Sequence, residues 1–385
     1  MKKLLLITLG IALPMGSLLH ALTQVGNGDL FLDARLDYSY DSNLFLRETD
    51  KRSDSMYNVY VGAGFIQHER SVLNVDFDIG YDITQMFKFK EEDAEDFKSS
   101  FHVSYPNHVE GNAYFEVSGG YNEDTQANAD IGQRIRTEAL DLQGEYHQDI
   151  SDKVGVEFTL GTMDQNYKNG IDPRNNLALN RESDLWNVGL AGTYFYSEKL
   201  VGLLSYTHRE LTYNDTTSTE QDGDIIAVGA RGQLSPKISG GISFGFQDVS
   251  LKSSFIGSQS YTDPFYSVDV AWNPRDKTTV SISGSSNFQA SVYGDVNNRN
   301  DIQFVVTEAM SEKSSITGGI VYSDNDYEVL FDRTDESLIF TAGYFYSFND
   351  KAQFNVRLNY EDRDSNFDGL SFDRLFMSVG VSTLW

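Results

Sequence analysis

Along almost the whole chain, apolar and polar residues alternate with a period of two. Between Leu73 and Ile83 the odd-numbered side chains are apolar or aromatic, and the even-numbered ones are Asn, Asp or Gly. Successive side chains of a β-strand point to opposite faces, so each segment has one apolar and one polar face. The segments are mostly about 11–14 residues long, whereas strands of soluble proteins average about 5–6 and a membrane-crossing strand needs roughly 9–11. This length favours strands that cross a bilayer.

The connections between these segments alternate between short polar turns and longer, mostly acidic loops. Eight short turns lie near residues 67–70, 106–108, 150–153, 197–199, 235–237, 273–276, 311–313 and 348–351. Nine longer loops, among them 122–133, 167–183 and 251–263, separate them. Turns at one end and loops at the other are typical of bacterial barrels. Eight turns and nine loops join 18 strands, so the sequence predicts an all-β, transmembrane, antiparallel up-and-down barrel of 18 strands with both termini periplasmic.

The short turns recur every 37 or 38 residues in the second half of the chain, which is close to the period of propeller blades. A blade would need four short strands in each period. Because each period holds two long segments instead, we interpret it as a hairpin of a barrel.

The first residues have the pattern of a secretory signal peptide. Lys2 and Lys3 form a basic start, Leu4 to Leu13 form an apolar stretch, and Ala21 ends the predicted cleavage sequence. We expect removal of residues 1–21 and a single barrel domain over residues 22–385 in the outer membrane of a Gram-negative bacterium. The mature chain then has a formal charge of −27 − 2 = −29.

Composition excludes several classes of protein. The strong acidity argues against a nucleic-acid partner, which requires a basic face. The absence of cysteine excludes a small disulfide-linked secreted domain. Disordered acidic chains lack aromatic residues, whereas this chain has 22 Tyr, 25 Phe and 3 Trp.

The polar faces are expected to line a water-filled lumen, since a barrel of this strand number leaves an aqueous channel. The charged candidates for this lining are Asp33, Arg35, Asp37, Asp76, Asp78, Asp82, Arg231, Arg357 and Arg374. In one interpretation, acids facing arginines make a cation-preferring or mixed-field pore, because arrays of side-chain charge select ions in channels. In the other, these groups pair within the wall and only hydrate it.

No arrangement of residues predicts catalysis, a cofactor or a metal centre. No histidine has a Ser and an acid at a spacing that would assemble a catalytic triad. The histidines of the mature chain are His68, His102, His108, His147 and His208. His147 lies near a short turn and is expected at the level of the lipid head groups.

One acidic loop has a partial calcium motif. Asp364, Asn366, Asp368 and Gly369 match the start of a calcium-binding loop, but Leu375 stands where its bidentate Glu is required. Asn and Asp also favour ordinary turns. We therefore prefer a solvated turn to a metal site.

Two stretches resemble known outer-membrane sequences. The last eight residues resemble the terminal signal read by the barrel-assembly machinery, with Gly380 and the final Trp385 in the expected places and Thr383 departing from the pattern. The segment from Leu36 to Phe45 resembles the opening of the putative β-barrel porin 2 family. This resemblance implies a barrel over the whole mature chain. It also implies a porin-like or polysaccharide-export role, because members are often associated with exopolysaccharide loci.

These observations lead to two functional hypotheses. The first is a water-filled channel for small polar solutes or saccharides. The second is a structural or surface-interaction barrel whose acidic loops bind lipopolysaccharide, divalent ions or a partner protein. In both, outer-membrane lipid surrounds the barrel, and neither requires a cofactor.

Overall fold

A computed structural model describes residues 23–67, 72–106, 113–171, 178–213, 220–253, 257–290, 296–327 and 333–385. The predicted signal peptide, residues 1–21, lies outside the described residues. Within these ranges, no helix is long and apolar enough to cross a membrane. The described chain is β-structure apart from turns, loops and one 3-10 helix, Lys90–Glu92.

The strands follow one another in chain order. Their bounds are β1 Thr23–Val25, β2 Gly28–Asp41, β3 Asp54–Gln67, β4 Asn74–Met86, β5 Ala94–Tyr105, β6 Ala113–Asn128, β7 Gln133–Ser151, β8 Val154–Ile171, β9 Ala178–Ser197, β10 Leu200–Tyr213, β11 Glu220–Ser235, β12 Ile238–Ser253, β13 Gly257–Arg275, β14 Thr278–Ala290, β15 Val296–Ala309, β16 Ser314–Tyr327, β17 Arg333–Asn349, β18 Ala352–Ser365 and β19 Phe372–Leu384.

Strands β2 to β19 form a closed ring. Each strand pairs antiparallel with the next, and β19 pairs with β2, with Phe376 opposite Asp41 and Leu384 opposite Asp33. The three-residue strand β1 pairs only with the start of β2 and does not add to the ring. The prediction of an antiparallel up-and-down barrel of 18 strands is confirmed.

The two ends of the barrel differ in their connections. At the end that we call the turn end, five hairpins have two-residue turns, and Trp385 lies at the same end. Six of the turn-end connections finish with a lysine, namely Lys153, Lys199, Lys237, Lys277, Lys313 and Lys351. The opposite end, which we call the loop end, carries the connections that the sequence predicted as long loops.

Several predicted loops are shorter than expected, because the strands continue into polar sequence. The predicted loop 122–133 is strand as far as Asn128 and again from Gln133, and the predicted loop 251–263 is strand as far as Ser253 and again from Gly257. Backbone pairing does not require an apolar face once the strands have left the hydrocarbon. The change from apolar to polar sequence therefore indicates where a strand leaves the membrane, and the strand itself continues beyond that point.

Burial and register agree on which side chains face outward. Leu204 and Val228 lie opposite each other on β10 and β11, and both are more than half exposed. Ser205 and Ala227, also opposite each other, point to the other face, where Ala227 is 2% exposed. The same pattern recurs on other strands, where exposed residues such as Phe244 on β12 and Val379 on β19 are apolar, as a lipid-facing wall requires.

Adjacent leucines on β10 provide a matched test of the two faces. Leu204→Lys places a charge on the outer face in the apolar band and should lower the free energy of unfolding in lipid vesicles by about 2–4 kcal/mol. Leu203→Lys places the same charge on the inner face and should have a much smaller effect. Denaturant titration with gel mobility as the readout measures both, and equal losses would contradict the assignment of faces.

Candidate functional site: the inner face and its constricted mouth

The nine charged residues predicted for the lumen lie on the face opposite to the exposed apolar residues. The register shows this directly: Asp37 lies opposite Gly380, Arg357 opposite Ser378, and Asp76 opposite His102, all on the face that points away from the apolar band. The full set placed there is Asp33, Arg35, Asp37, Asp76, Asp78, Asp82, Arg231, Arg357 and Arg374.

Most of these residues contact a polar or aromatic neighbour on the next strand. The guanidinium of Arg35 lies 5.4 Å from the centre of the Tyr60 ring and 3.8 Å from the Asp33 carboxylate. The Tyr60 hydroxyl in turn donates to Asp78 Oδ1 at 3.1 Å. Lys98 reaches Asp82 Oδ2 at 3.2 Å. Several charges on this face therefore have a partner nearby, on the same strand or on the next one.

The two residues of the predicted assembly signal lie at the seam where the barrel closes. A Cβ on Gly380 would come within 1.9 Å of Asp37 Oδ1, so only glycine lets β19 approach this carboxylate. Trp385 exchanges two backbone hydrogen bonds of 2.8 Å with Leu32, and its ring lies 4.8 Å from Lys351 Nζ. Both residues support closure in the folded barrel.

A second cluster on the inner face, near the turn end, contains His147. Its Nδ1 lies 3.1 Å from Glu157 and its Nε2 lies 2.8 Å from Asp149, while the Tyr114 ring stacks on it at 5.0 Å. Arg231 also contacts Glu157 from three strands away. The expectation that His147 lies among lipid head groups is wrong, because its position in β7 points it inward.

The β2–β3 connection folds into the mouth of the barrel. Leu44 and Phe45 are buried against the inward-facing Met56 and Met86, with Phe89 packed beside them. The side chain of Asn43, also buried, fixes the loop: its Nδ2 donates to the carbonyl of Arg47 at 2.8 Å. Apolar residues inside a water-filled channel would be unfavourable, so this cluster shows that the mouth is filled here.

The tip of the β6–β7 hairpin crosses the same mouth. Ile131 and Ile135 are buried against Tyr167, and Arg47 Nε donates to the carbonyl of Gly132 at 3.0 Å. The tip therefore rests on the inserted β2–β3 loop.

Asp130, in this tip, joins the tip to the far wall. Its Oδ1 accepts hydrogen bonds from Arg333 at 2.5 Å and from Arg363 at 3.4 Å. Six strands separate β6 from β17 on the shorter way around the ring, so the contact spans the lumen. Asp335 contacts both arginines from within the wall. We call Asp130, Arg333, Asp335 and Arg363 the ionic latch.

A neighbouring ion pair supports the same rim. Arg374 Nη2 donates to Asp41 Oδ2 at 2.6 Å, and Asp41 is 1% exposed. Glu361 lies directly opposite Arg374 in the register. These groups connect β18, β19 and β2 just below the latch, where the barrel closes.

Towards the loop end, the β14–β15 hairpin leaves the barrel wall and lies on the lumen side of β12 and β13. Pairing between β13 and β14 stops at Ser267 and Ser285, although both strands continue. Beyond this point Ser286 accepts a hydrogen bond of 3.3 Å from Gln247 on the inner face of β12. The unpaired edge of β13 contains Pro264, which has no N–H to donate and suits an edge.

Further contacts hold this tucked hairpin, a name that we use for residues 286–290 of β14 and 296–300 of β15. Asn298 Nδ2 on β15 donates to Asp263 Oδ2 on β13 at 3.0 Å, although β14 lies between these two strands in the order of the sheet. Arg209 on β10 donates to Asn287 across the lumen. Three inserted segments (the β2–β3 loop, the β6–β7 tip and the tucked hairpin) thus narrow the loop end.

One group of carboxylates on the outer surface has the spacing of a metal site. Oxygen atoms of Glu210, Glu220 and Asp222 lie within 4.8 Å of one another. Lys252 Nζ lies 3.0 Å from Asp222 and 3.6 Å from Glu220, so an ammonium group already neutralises part of this charge. The group is on β10 and β11, away from the partial calcium motif between β18 and β19.

The sequence interpretation did not find the residues that close the mouth. Asp130, Arg333 and Arg363 stand in or beside segments interpreted as solvated loops. The run from Leu44 to Leu46 and the lone Ile131 were the available signals, because apolar residues inside polar loops indicate burial.

The fold is that of an outer-membrane channel: a closed β-barrel with an apolar outer wall and a charged inner face. The model of the family described as putative beta-barrel porin 2 matches residues 30–383. The chain belongs to this family of porin-like β-barrels. No curated protein matches the sequence.

Solved outer-membrane barrels share the architecture. The Pseudomonas aeruginosa outer membrane protein OpdK is 10% identical with a TM-score of 0.50, and the match covers 93% of this chain and 99% of that one. Pseudomonas aeruginosa OccK2, solved in complex with glucuronate, is 10% identical with a TM-score of 0.48, covering 93% and 98%. The ferric citrate transporter FecA is 11% identical with a TM-score of 0.45, covering 90% of this chain but only 61% of that one. At these identities the likeness concerns the fold alone.

Cross-linking can test the tucked hairpin, because the natural chain has no cysteine. In Asp263→Cys/Asn298→Cys, a short thiol-specific cross-linker should join β13 to β15, since these side chains are in contact. In the control Asp269→Cys/Gln303→Cys, the two residues lie on the same two strands with β14 paired between them, about 9–10 Å apart. The control should cross-link far less. Equal cross-linking in a gel-mobility assay would mean that β14 lies in the wall along its whole length.

Proposed function

We propose that the protein is an outer-membrane channel through which small polar solutes or saccharides diffuse, with its passage limited at the loop end. The observation that supports this most strongly is the inner face, which carries charged and polar side chains along the barrel. A purely structural barrel has no need to keep so many ionised groups in its interior.

The orientation and export of the chain form part of the same proposal. Residues 1–21 act as a cleaved signal peptide, the turn end faces the periplasm, and Gly380 and Trp385 are read by the barrel-assembly machinery. The constricted loop end then faces the cell exterior, where lipopolysaccharide surrounds it. Saccharide export linked to exopolysaccharide synthesis is a specific form of the channel hypothesis, and catalysis forms no part of it.

Ion selectivity follows from the inner charges. The predicted lumen acids, with Glu116, Asp141, Glu145, Glu157 and Asp269, outnumber the arginines on this face. Arg357 and Arg35 are the positive charges that act most strongly on Asp37. An excess of carboxylates along a wet path favours cations.

In planar lipid bilayers, purified protein should give discrete conductance steps with a preference for cations. Arg357→Gln should raise the cation-to-anion permeability ratio, and Asp37→Asn should lower it, because the two changes move the same local charge in opposite directions. Reversal potentials in a salt gradient measure the ratio. An absence of conductance from folded protein would refute the open channel, and identical ratios in both variants would refute the role of these charges.

A row of carboxylates on the outer surface favours the second hypothesis. Asp324, Glu336 and Asp364 stand directly opposite one another on β16, β17 and β18, above the apolar band. Like charges in direct opposition destabilise a sheet unless a cation lies between them. Divalent ions that bridge this row to anionic lipopolysaccharide would relieve the repulsion.

This hypothesis predicts a chelator effect. In lipopolysaccharide-containing membranes, removal of divalent ions with EDTA should lower the midpoint of thermal unfolding of the natural protein. Glu336→Gln removes the central charge and should reduce that shift by roughly half or more. Glu312→Gln at the turn end is the control, and an equal shift in all three proteins would argue against the bridge.

A further inference from the structure

The two arginines of the ionic latch are in direct contact with a single carboxylate of the wall. Arg333 and Arg363 project from adjacent strands, and their side chains are 3% and 10% exposed. Within the wall their shared partner is Asp335, which is fully buried. By direct contact, two guanidinium groups therefore share one carboxylate of the wall, although Glu361 stands two residues from Arg363 on β18, and N–H donors remain for a second carboxylate.

Asp130 supplies that carboxylate, and it does so from a hairpin tip rather than from the wall. The tip consists of residues 129–132. Besides the ionic latch itself, the packing of Ile131 and a hydrogen bond from Arg47 to the carbonyl of Gly132 hold it in the mouth. Segments held by few contacts open locally at a lower free energy than the strands around them. The two arginines would keep their positions when the tip moves, because both belong to paired strands. Arg333 pairs with Tyr327 on β16, and Arg363 pairs with Ser337 on β17 and with Phe372 on β19.

The geometry of the pair is that of an anion-binding site. The Tyr327 ring packs on the Arg333 guanidinium at 4.2 Å, which fixes its plane. The Nε of Arg363 is buried and, among the described residues, has no hydrogen-bond partner. Guanidinium groups bind carboxylates through two parallel N–H donors. A carboxylate that replaced Asp130 would therefore meet oriented N–H donors, among them the Nε of Arg363, which has no other acceptor among the described residues.

We propose that Arg333 and Arg363 form a binding site for solutes that carry a carboxylate, and that Asp130 occupies this site in the closed state as an internal substitute for the solute. A carboxylated saccharide that enters the mouth competes with Asp130 and releases the tip. The inference rests on the proposed channel function and assigns it a class of solute.

Two sugars that differ only in the carboxylate provide the probes, namely galacturonate and galactose. In proteoliposomes, Asp130→Asn should raise the rate of galacturonate entry relative to galactose by about two- to fivefold, because the arginine pair becomes available. Asp130→Glu keeps the competing carboxylate and should behave like the natural protein. Asp368→Asn removes an exposed charge at the same end of the barrel and should leave the ratio unchanged. An equal increase for both sugars would show a wider mouth without recognition and would overturn the proposal.

A binding measurement separates this inference from the channel itself. Galacturonate should raise the thermal unfolding midpoint of Asp130→Asn in detergent more than that of the natural protein, whereas galactose should have no effect, because a ligand stabilises the state that it binds. The additional change Arg363→Gln should abolish the shift. Binding without flux would refute the channel and leave the site standing. The absence of a galacturonate-specific shift in Asp130→Asn would refute the site whatever the flux.

Discussion

The structure depends on one constraint: in hydrocarbon, each backbone N–H and C=O must find its partner within the protein. A sheet meets this requirement only when its first and last strands pair, because an open edge leaves several groups unsatisfied at a cost of several kcal/mol each. Here the pairing of β19 with β2, completed by the backbone bonds between Leu32 and Trp385, removes the edge. Gly380 belongs to the same requirement, because a larger residue would hold β19 away from Asp37.

Closure has a consequence for the interior. A ring of 18 strands encloses more space than its own side chains can fill, so the inner face is polar and the remaining space needs either water or further chain. Near the turn end the inner charges have partners on the same strand or the next one, as Arg35 has in Asp33 and Tyr60. At the loop end, three inserted segments replace water in the mouth, and two of them bring buried apolar residues such as Leu44 and Ile131 with them. The constriction is held by this apolar packing, by hydrogen bonds to the tucked hairpin and by the ionic latch.

The tucked hairpin shows that the pairing of the strands changes at the level where they leave the apolar band. Pairing between β13 and β14 ends where the strands leave the apolar band, and only above that level can an edge such as that of Pro264 remain unpaired at low cost. Side chains of β12 and β13, among them Gln247 and Asp263, then bond to the displaced hairpin. Within the membrane every strand must therefore pair with its neighbours, whereas above the membrane water can satisfy an unpaired strand edge.

The alternation of polar and apolar residues determined the strands, their number and their two faces, because side chains in a strand alternate whatever surrounds them. The inward position of Asp33 or Arg357 follows from parity alone. Parity could not show that His147 would lie between two carboxylates, nor that Asp130 would reach Arg333 and Arg363 across six and five intervening strands. Residues 203 and 233 positions apart have no local relation in the sequence. Only closure of the ring brings them together, and only the tertiary structure could decide which loops enter the mouth, because that depends on contacts between segments far apart in the sequence.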